Sequence, residues 1–184
     1  MDDPDFTVKP VTEATWPDLE ALFEGKGGPK YCWCTAWRKM DDRSTADNAT
    51  RKKALHECVL DGTPVGILGY VNDEPVAWCS VAPRDTFREL KQGQDKEKAR
   101  VWSVVCFFVR RDHRKQGLSA RMLEAAVELA KSQGAEVIEG YPVDPGSPSY
   151  RFMGFVTLFK AHGFTETGRA GSRRHVMQRD LSAE

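Results

Sequence analysis

The sequence has no surplus of either charge and no long hydrophobic run. Its 184 residues contain 27 Lys and Arg against 27 Asp and Glu, so the formal net charge is +0. General binding to nucleic acid is therefore disfavoured, because such binding relies on an excess of cations; a local basic patch would still be compatible with this composition. No stretch of about 18 apolar residues is present, so no membrane span is predicted.

The number of cysteines is odd. The sequence contains five cysteines. Its first ten residues, MDDPDFTVKP, are acidic and have no apolar stretch, so they do not form a secretory signal. These features predict reduced thiols and a cytoplasmic protein. The length fits a single domain over residues 1–184.

Hydrophobic periodicity predicts short, mixed elements without internal repeats. Eight of the nine residues in VWSVVCFFV, 101–109, are apolar, which is typical of a buried central strand. Leu118, Met122, Ala125 and Leu129 share one face of the most regular helix. The pattern predicts an α/β (α+β) domain with strands over 5–11, 64–71, 75–81, 101–109, 137–141, 164–168 and 174–179 and helices over 12–24, 46–60, 118–131 and 152–162.

The most hydrophilic segment lies between two predicted strands. Ten of the 17 residues in 84–100 are charged, and both signs are present. This composition is typical of a solvated loop or a short helix. The alternative is a flap that covers a substrate.

Chemistry is predicted where the buried strand meets the regular helix. Five cationic or titratable side chains precede this helix: Arg110, Arg111, His113, Arg114 and Lys115. Gly117 and the small residues Ser119 and Ala120 let an anion approach backbone N–H groups that have no partner in a first helical turn. A phosphate or pyrophosphate suits such a place. The alternative is an ordinary helix start beside solvated arginines, and neither a P-loop nor a G-x-G-x-x-G motif is present.

Three short motifs in this part of the chain resemble one known family. The segment RKQGLS at 114–119 is similar to the R/Q-x-x-G-x-G/A motif of the GNAT superfamily of acyl-CoA-dependent N-acetyltransferases. Phe107-Phe108-Val109 stands where that family ends its fourth strand, and AHGF at 161–164 resembles its last helix-to-strand turn. The resemblance implies a mixed sheet of about seven strands flanked by about four helices, with strands four and five (101–109 and 137–141) splayed apart.

The resemblance also implies how acetyl-CoA, the acyl donor, would bind. Backbone groups of Phe107 and Val109 would pair with the pantetheine arm, and an amide at the level of Phe107 and Phe108 would polarise the thioester carbonyl. Arg114 and Lys115 would add positive charge. The pyrophosphate would bind the backbone amides of five consecutive residues: Gln116, Gly117, Leu118, Ser119 and Ala120.

Four positions depart from the family pattern. Ser119 replaces the usual glycine or alanine, and Arg111 stands where a proline is frequent. Phe159 lies where many members have a tyrosine that protonates the leaving thiolate. An asparagine common after the fifth strand is missing, and Pro142-Val143-Asp144 takes its place. The sequence therefore leaves the general acid unassigned.

Acetyl transfer to an amine needs a group that accepts a proton. Glu139 and Tyr141 alternate onto the same face of the fifth predicted strand. Glu139 is thus a candidate base and Tyr141 a candidate acid. The alternative is that Glu139 is exposed or salt-bridged, as most carboxylates are. His162 fits a residue at a helix C-terminus, and Cys106 fits a small core residue.

The segment YCWCTAWR at 31–38 has the most unusual composition in the chain. One interpretation is a local hydrophobic cluster. Another is zinc binding, which the C-x-C and H-x-C spacings fit poorly, so no metal is expected. The third is recognition of the acceptor, since this region commonly walls the acceptor site in the GNAT family. Aromatic faces and a guanidinium that binds a carboxylate would then come from Tyr31, Trp33, Trp37 and Arg38.

The sequence thus predicts an acetyl-CoA-dependent N-acetyltransferase that acts on the primary amine of a small-molecule acceptor. Transfer would be direct, in a ternary complex, because no positioned nucleophile is evident. The alternative is a non-catalytic acyl-CoA-binding sensor or regulatory domain, which Phe159 and the missing asparagine favour. A nucleic-acid or metal-binding protein is disfavoured by the neutral charge and the cysteine spacing. No membrane partner is expected, and homodimers are common in the resembled family.

Overall fold

Seven strands form a single sheet in the computed structural model, which describes residues 5–41, 43–91 and 100–182. The strands are β1 (Phe6–Pro10), β2 (Ile67–Val71), β3 (Glu74–Pro83), β4 (Val101–Val109), β5 (Val137–Gly140), β6 (Thr165–Ala170) and β7 (Arg174–Asp180). Their spatial order is β1-β2-β3-β4-β5-β7-β6. Only β4 and β5 are parallel neighbours; the other described pairs are antiparallel.

Four α-helices pack on this sheet: α1 (Trp16–Glu24), α2 (Asn48–Leu60), α3 (Leu118–Ser132) and α4 (Val156–Ala161). The strand and helix numbers match the prediction, so the α/β (α+β) fold class is confirmed. Within the described ranges, no helix has both the length and the apolar character needed to cross a membrane.

The second and third strands form a hairpin, as the polar residues Asn72-Asp73-Glu74 between them in the sequence indicate. β2 and β3 are joined by Asn72 and Asp73, whose φ angles are 49° and 65°. Two successive residues with positive φ form the type I′ turn that suits the twist of a two-residue hairpin, and Asn and Asp adopt this conformation more readily than most residues. The polar turn in the sequence therefore predicts the connection correctly.

The last predicted helix is shorter than its apolar pattern indicates. The sequence predicts a helix over 152–162, whereas the structure has a 3₁₀ turn at Arg151–Met153 and begins α4 only at Val156. Between them, Gly154 has a φ of 89° and Phe155 is extended. A residue with positive φ does not continue a right-handed helix, so this part of the prediction was wrong.

The helices form two layers on opposite faces of the sheet. Along β3 the side chains alternate between two hydrophobic clusters: Trp78 belongs to one, while Ala77 and Cys79 belong to the other. We call the first cluster the α1/α2 layer, since it contains Leu19 and Leu55 of those helices. The second, the α3/α4 layer, holds apolar side chains that include Met122, Leu123, Val127 and Phe159.

The hydrophilic segment after β3 is partly buried. A solvated loop or short helix is expected over 84–100, but Arg84, Phe87 and Leu90 are only 8%, 2% and 1% exposed. A 3₁₀ turn at Arg84–Thr86 begins the segment. The first residues are thus neither fully solvated nor fully buried, since Asp85, Arg88 and Glu89 are exposed. The loop and flap interpretations of 84–100 both stay predictions, and residues 92–99 lie outside the described residues.

Candidate active site

β4 and β5 separate part-way along their length. Their pairing extends only from Val101 with Val137 to Val104 with Gly140. β4 then continues to Val109 beside β3 alone, while the chain after β5 pairs elsewhere. The Val143 N–H donates to the Gly154 carbonyl, and the Val143 carbonyl accepts from the Val156 N–H, both at 3.0 Å. The predicted splay of strands four and five is thus confirmed.

Aromatic rings line this gap on the side of the α3/α4 layer. The rings of Phe107 and Phe159 meet edge to face, with their centroids 6.2 Å apart. Gly154 lies against the same pair, because a Cβ there would be 3.1 Å from Phe107 and 2.9 Å from Phe159. Phe159 is fully buried. The gap therefore has an apolar wall where a tyrosine hydroxyl would otherwise be available to a leaving thiolate.

The start of α3 presents backbone donors beside the end of β4. Lys115 and Gly117 have φ angles of 62° and 73°, which turn the chain sharply before the helix. Within the described ranges, no intramolecular acceptor binds the backbone N–H of any residue from Gln116 to Ser119, whereas the Ala120 N–H donates to the Gly117 carbonyl at 3.1 Å. Four of the five predicted amides are free for an anion, and the fifth is engaged. This cradle fits a pyrophosphate.

The cations of the same loop have different tasks. Arg114 donates from Nε to the Val109 carbonyl at 2.9 Å, which fixes this exposed guanidinium at the end of β4. Arg110 instead forms ion pairs with Glu74 at 2.6 Å and Asp112 at 2.7 Å. Hydrogen bonds to those carboxylates raise the pKa of Arg110 above its usual range. Arg114 and exposed Lys115 are therefore the side chains that add positive charge at the helix start.

Glu139 and Tyr141 face the α1/α2 layer, and both are fully buried. The Tyr141 hydroxyl donates to one oxygen of Glu139, and the side-chain amide of Gln178 donates to the other. Arg84 Nη1 lies 3.7 Å from Glu139 Oε1, and Lys91 Nζ lies 3.4 Å from Oε2. The structure thus brings the two predicted catalytic residues together within a closed network of charges and hydrogen bonds.

Burial raises the pKa of Tyr141 well above 10, and the charge of Glu139 raises it further. A thiolate derived from a thiol with an ordinary pKa of about 8.5 is too weak a base to take that proton. Tyr141 is therefore suited to donating a hydrogen bond to Glu139 and poorly suited to protonating a leaving thiolate. The catalytic assignment of both residues stays a prediction.

The structure separates the four residues predicted to bind the acceptor. Trp33 packs in the core against Trp16 and Phe23, with ring centroids 6.0 Å and 5.2 Å away. Tyr31 is 69% exposed. Arg38 is buried, donating to the Val65 carbonyl at 2.6 Å.

Trp37 differs from those three residues in its surroundings. Its ring is contacted by the guanidinium groups of Arg88 and Arg174, whose central carbons lie 4.5 Å and 4.4 Å from the ring centre. Trp37 is thus the predicted acceptor residue whose ring is contacted by two arginines.

Cys34 has an unusual environment in the same segment. A hydrogen bond from the Cys106 thiol, together with the charge of Arg38, lowers the pKa of Cys34 to about 7. The possible zinc ligand His56 instead stacks on Trp16 with ring centroids 4.2 Å apart. Among the residues that the structure describes, no three His, Cys, Asp or Glu side chains gather in a metal-binding arrangement.

Several residues of this site were missed by sequence reasoning. They are Arg84, Arg88, Lys91, Arg174 and Gln178. Alternation along the last strand does place Arg174 and Gln178 on one face. The strand pairing that sets Gln178 opposite Glu139 is a long-range contact, so the sequence pattern alone does not reveal it.

The family model described as "Acetyltransferase (GNAT) family" matches residues 19–155. A GNAT-family acetyltransferase from Streptococcus pneumoniae superposes with a TM-score of 0.59 at 13% identity, covering 96% of this chain and 99% of that one. Ribosomal-protein-alanine N-acetyltransferase from Brucella melitensis superposes with a TM-score of 0.58 at 17% identity, covering 95% of this chain and 99% of that one. A third structure is that of a candidate acetyltransferase from Salmonella typhimurium, solved with its cofactor acetyl-CoA. It superposes with a TM-score of 0.57 at 16% identity, covering 97% of this chain and 95% of that one.

No curated protein matches the chain at a significant level. At such low identities the solved structures establish the fold alone. The family model spans well over half of the chain, and the residues it matches include both the splayed strands and the start of α3. On this evidence, the chain belongs to the GNAT family of acetyltransferases.

Proposed function

We propose that the protein transfers an acetyl group from acetyl-CoA to the primary amine of a small-molecule acceptor, directly and in a ternary complex. The observation that carries this proposal is the gap between β4 and β5 beside the free amides of residues 116–119. A strand edge suits the amide groups of a pantetheine arm, and the α3 start suits a pyrophosphate. The Salmonella typhimurium protein of the same fold was solved with acetyl-CoA.

Acetyl-CoA supplies a thioester whose carbonyl carbon is attacked by the amine nitrogen. The new C–N bond forms as the C–S bond breaks, the sulfur leaves as a thiolate, and the nitrogen loses a proton. A backbone amide of β4 near Phe107 and Phe108 stabilises the carbonyl oxygen as its negative charge develops. Holding the amine close to the thioester contributes much of the rate.

Glu139 is the proposed proton acceptor, acting through a water or directly on the amine. Tyr141 and Gln178 orient its two oxygens, and the cations Arg84 and Lys91 lie 3.7 Å and 3.4 Å from them. Direct transfer is supported by the state of Cys106, the thiol on β4. A hydrogen bond to Cys34, together with burial, raises the pKa of Cys106 well above 9, so it is a poor nucleophile.

A second candidate function is an acyl-CoA sensor without turnover. Two observations favour it: Phe159 provides no hydroxyl in the gap, and Glu139 is enclosed by its partners. The two functions differ in one result, since a sensor binds acetyl-CoA and forms no N-acetyl product.

The experiment is calorimetric titration with acetyl-CoA of the wild type and two variants, Gly117→Asp and Gly117→Asn. Asp and Asn both tolerate the positive φ of this position, so the pair differs mainly in charge. We expect Gly117→Asp to weaken binding by about 100-fold, because its carboxylate repels the pyrophosphate, and Gly117→Asn by less than about fivefold.

Mass spectrometry of amine mixtures incubated with acetyl-CoA then tests turnover. An N-acetyl product supports the enzyme, whereas binding without any product supports the sensor. Failure of the folded wild type to bind acetyl-CoA, or equal losses in the two variants, would contradict the donor site itself.

A further inference from the structure

The side of the gap that faces the α1/α2 layer carries two stacked arginines. Arg88 and Arg174 both rest on Trp37, so their guanidinium groups lie within about 9 Å of each other. Arg174 also lies 5.3 Å from the ring centre of Tyr150. Two like charges thus contact the same aromatic ring.

Neither arginine forms an ion pair with a carboxylate in the part of the chain that the structure describes. Arg88 donates from Nε to the Ala36 carbonyl at 2.9 Å, and Arg174 donates from Nη1 to the Leu90 carbonyl at 3.0 Å. Each guanidinium has five N–H donors, so both keep donors for a ligand. The Trp37 indole N–H is buried and has no acceptor among the described residues.

This cationic cluster lies next to the predicted reaction centre. The guanidinium of Arg174 is 6.0 Å from the ring centre of Tyr141, whose hydroxyl binds Glu139. Tyr141 directly follows Gly140, the last residue of β5 to pair with β4. An acceptor whose amine lies at the gap could therefore place an anionic group, a few bonds from that amine, on Arg174.

Arg88 has further positive charge nearby. Burial and the charges of Arg43 and Arg174 lower the pKa of Arg88, and burial lowers that of Arg174. A bound carboxylate would relieve this repulsion, and planar guanidinium groups bind carboxylates in a bidentate manner. Arg38 is engaged with the Val65 carbonyl and is not the carboxylate partner in this arrangement.

We infer that the acceptor carries a carboxylate close to its amine, as a free amino acid does, and that Arg174 and Arg88 bind that carboxylate on Trp37. The inference rests on the proposed function and specifies the substrate class of the same site. Arg174 provides the main contact because it is half-buried and adjoins Tyr141. Arg88 is exposed and contributes less.

The test presents the twenty amino acids to the full chain with acetyl-CoA, each beside its own carboxamide, and measures N-acetyl products by mass spectrometry. We expect at least one acid to exceed its amide by about 50-fold in kcat/KM, since the amide lacks the charge that pairs with arginine. Arg174→Gln should raise KM for that acid by about 30-fold and leave the amide unchanged. Arg88→Gln should raise it by about fivefold, because exposed charges are screened.

Arg173→Gln is the matched control. Arg173 is the neighbour of Arg174 in the chain, is exposed and donates to Ser149 Oγ. We therefore expect the Arg173→Gln variant to have the same KM for the acid as the wild type. Three outcomes would each overturn the inference. The protein could use acids and amides equally, the glutamine variants at 173 and 174 could have equal effects, or no acid in the whole panel could be acetylated. If acetyl-CoA binds and other amines are acetylated, only the inference fails; if acetyl-CoA does not bind, the proposed function fails with it.

Discussion

The two faces of the sheet differ in what surrounds the side chains of the same strand, β5. On β5, Ile138 belongs to the α3/α4 layer and is surrounded by apolar side chains. Its neighbour Glu139 faces the α1/α2 side, where a fully buried carboxylate meets Arg84, Lys91, Tyr141 and Gln178. One face is a packed support for the donor site, and the other retains buried charge beside the gap. Adjacent residues of one strand thus have apolar surroundings in one case and charged surroundings in the other.

The largest effect is expected on the charged face. Glu139→Gln removes a buried carboxylate that lies 3.7 Å from Arg84 and 3.4 Å from Lys91. The free energy of unfolding should fall by about 4 kcal/mol, as it does when one member of a buried ion pair is removed. Urea unfolding at constant pH and salt measures this change.

The control for that experiment is Glu136→Gln, just before β5. Glu136 faces Arg100 across 3.8 Å, and both side chains are largely exposed. Such a pair contributes about 0.5 kcal/mol or less. If Glu139→Gln were as mild as this control, the charged face would not depend on the buried carboxylate.

The next effect is expected on the apolar face, at Gly140. A Cβ at this position would lie 2.1 Å from one carbon of the Phe159 ring. That ring is held in turn by Phe107 and Phe164, so it has little room to move. Gly140→Ala should therefore destabilise the protein by about 3 kcal/mol through overpacking, again measured by urea unfolding.

Gly168→Ala is the matched substitution in another strand. A Cβ there meets no atom within 4 Å, so the change should be within about 0.5 kcal/mol of zero. Similar destabilisation by both alanines would mean that backbone entropy or strand propensity, and not the Phe159 ring, accounts for the effect at Gly140.

The smallest effect concerns Cys34 and depends on pH. Because the pKa of Cys34 is lowered to about 7, its thiolate stabilises the fold above the ordinary thiol pKa, and this contribution is lost as the pH falls through 7. The difference in unfolding free energy between wild type and Cys34→Ser should grow by about 1.5 kcal/mol from pH 6 to pH 8.5.

Cys79→Ser provides the comparison for the thiol experiment. Burial raises the pKa of Cys79 well above 9, so its thiol stays neutral over this pH range and the difference from wild type should be nearly constant. A constant difference for Cys34 as well would show that its thiol remains protonated near neutral pH.

The helix start that is the proposed donor site could be predicted from the sequence because it is local. The turn before α3 and the helix that follows are contiguous, so Gly117 and its neighbours identify a helix start with free amides. The two-residue turn of the β2–β3 hairpin is equally local. By contrast, the break at Gly154 within the last predicted helix depends on packing against Phe107 and Phe159. The helical spacing of apolar residues continues across this break, so it wrongly predicts an uninterrupted helix.

The acceptor side could be predicted only in part. The segment 31–38 was correctly identified as unusual, but its composition does not distinguish buried Trp33 and Arg38 from Trp37. Arg174 and Gln178 come from the end of the chain and reach the site through the pairing of β7 with β5. Their residue types give no sign of it, because an arginine or glutamine in a strand is usually a solvated side chain.

By itself, the amino-acid sequence determined the number of strands and helices and the helix start with free amides at α3. These features depend on neighbours within about one turn or one strand, where periodicity and backbone conformation act directly. Only the tertiary structure decided which charges are buried together and which aromatic ring carries the two arginines. These contacts depend on strand register and on the approach of distant segments. A charge can be buried without a large cost in free energy only where it finds hydrogen-bonding or oppositely charged partners.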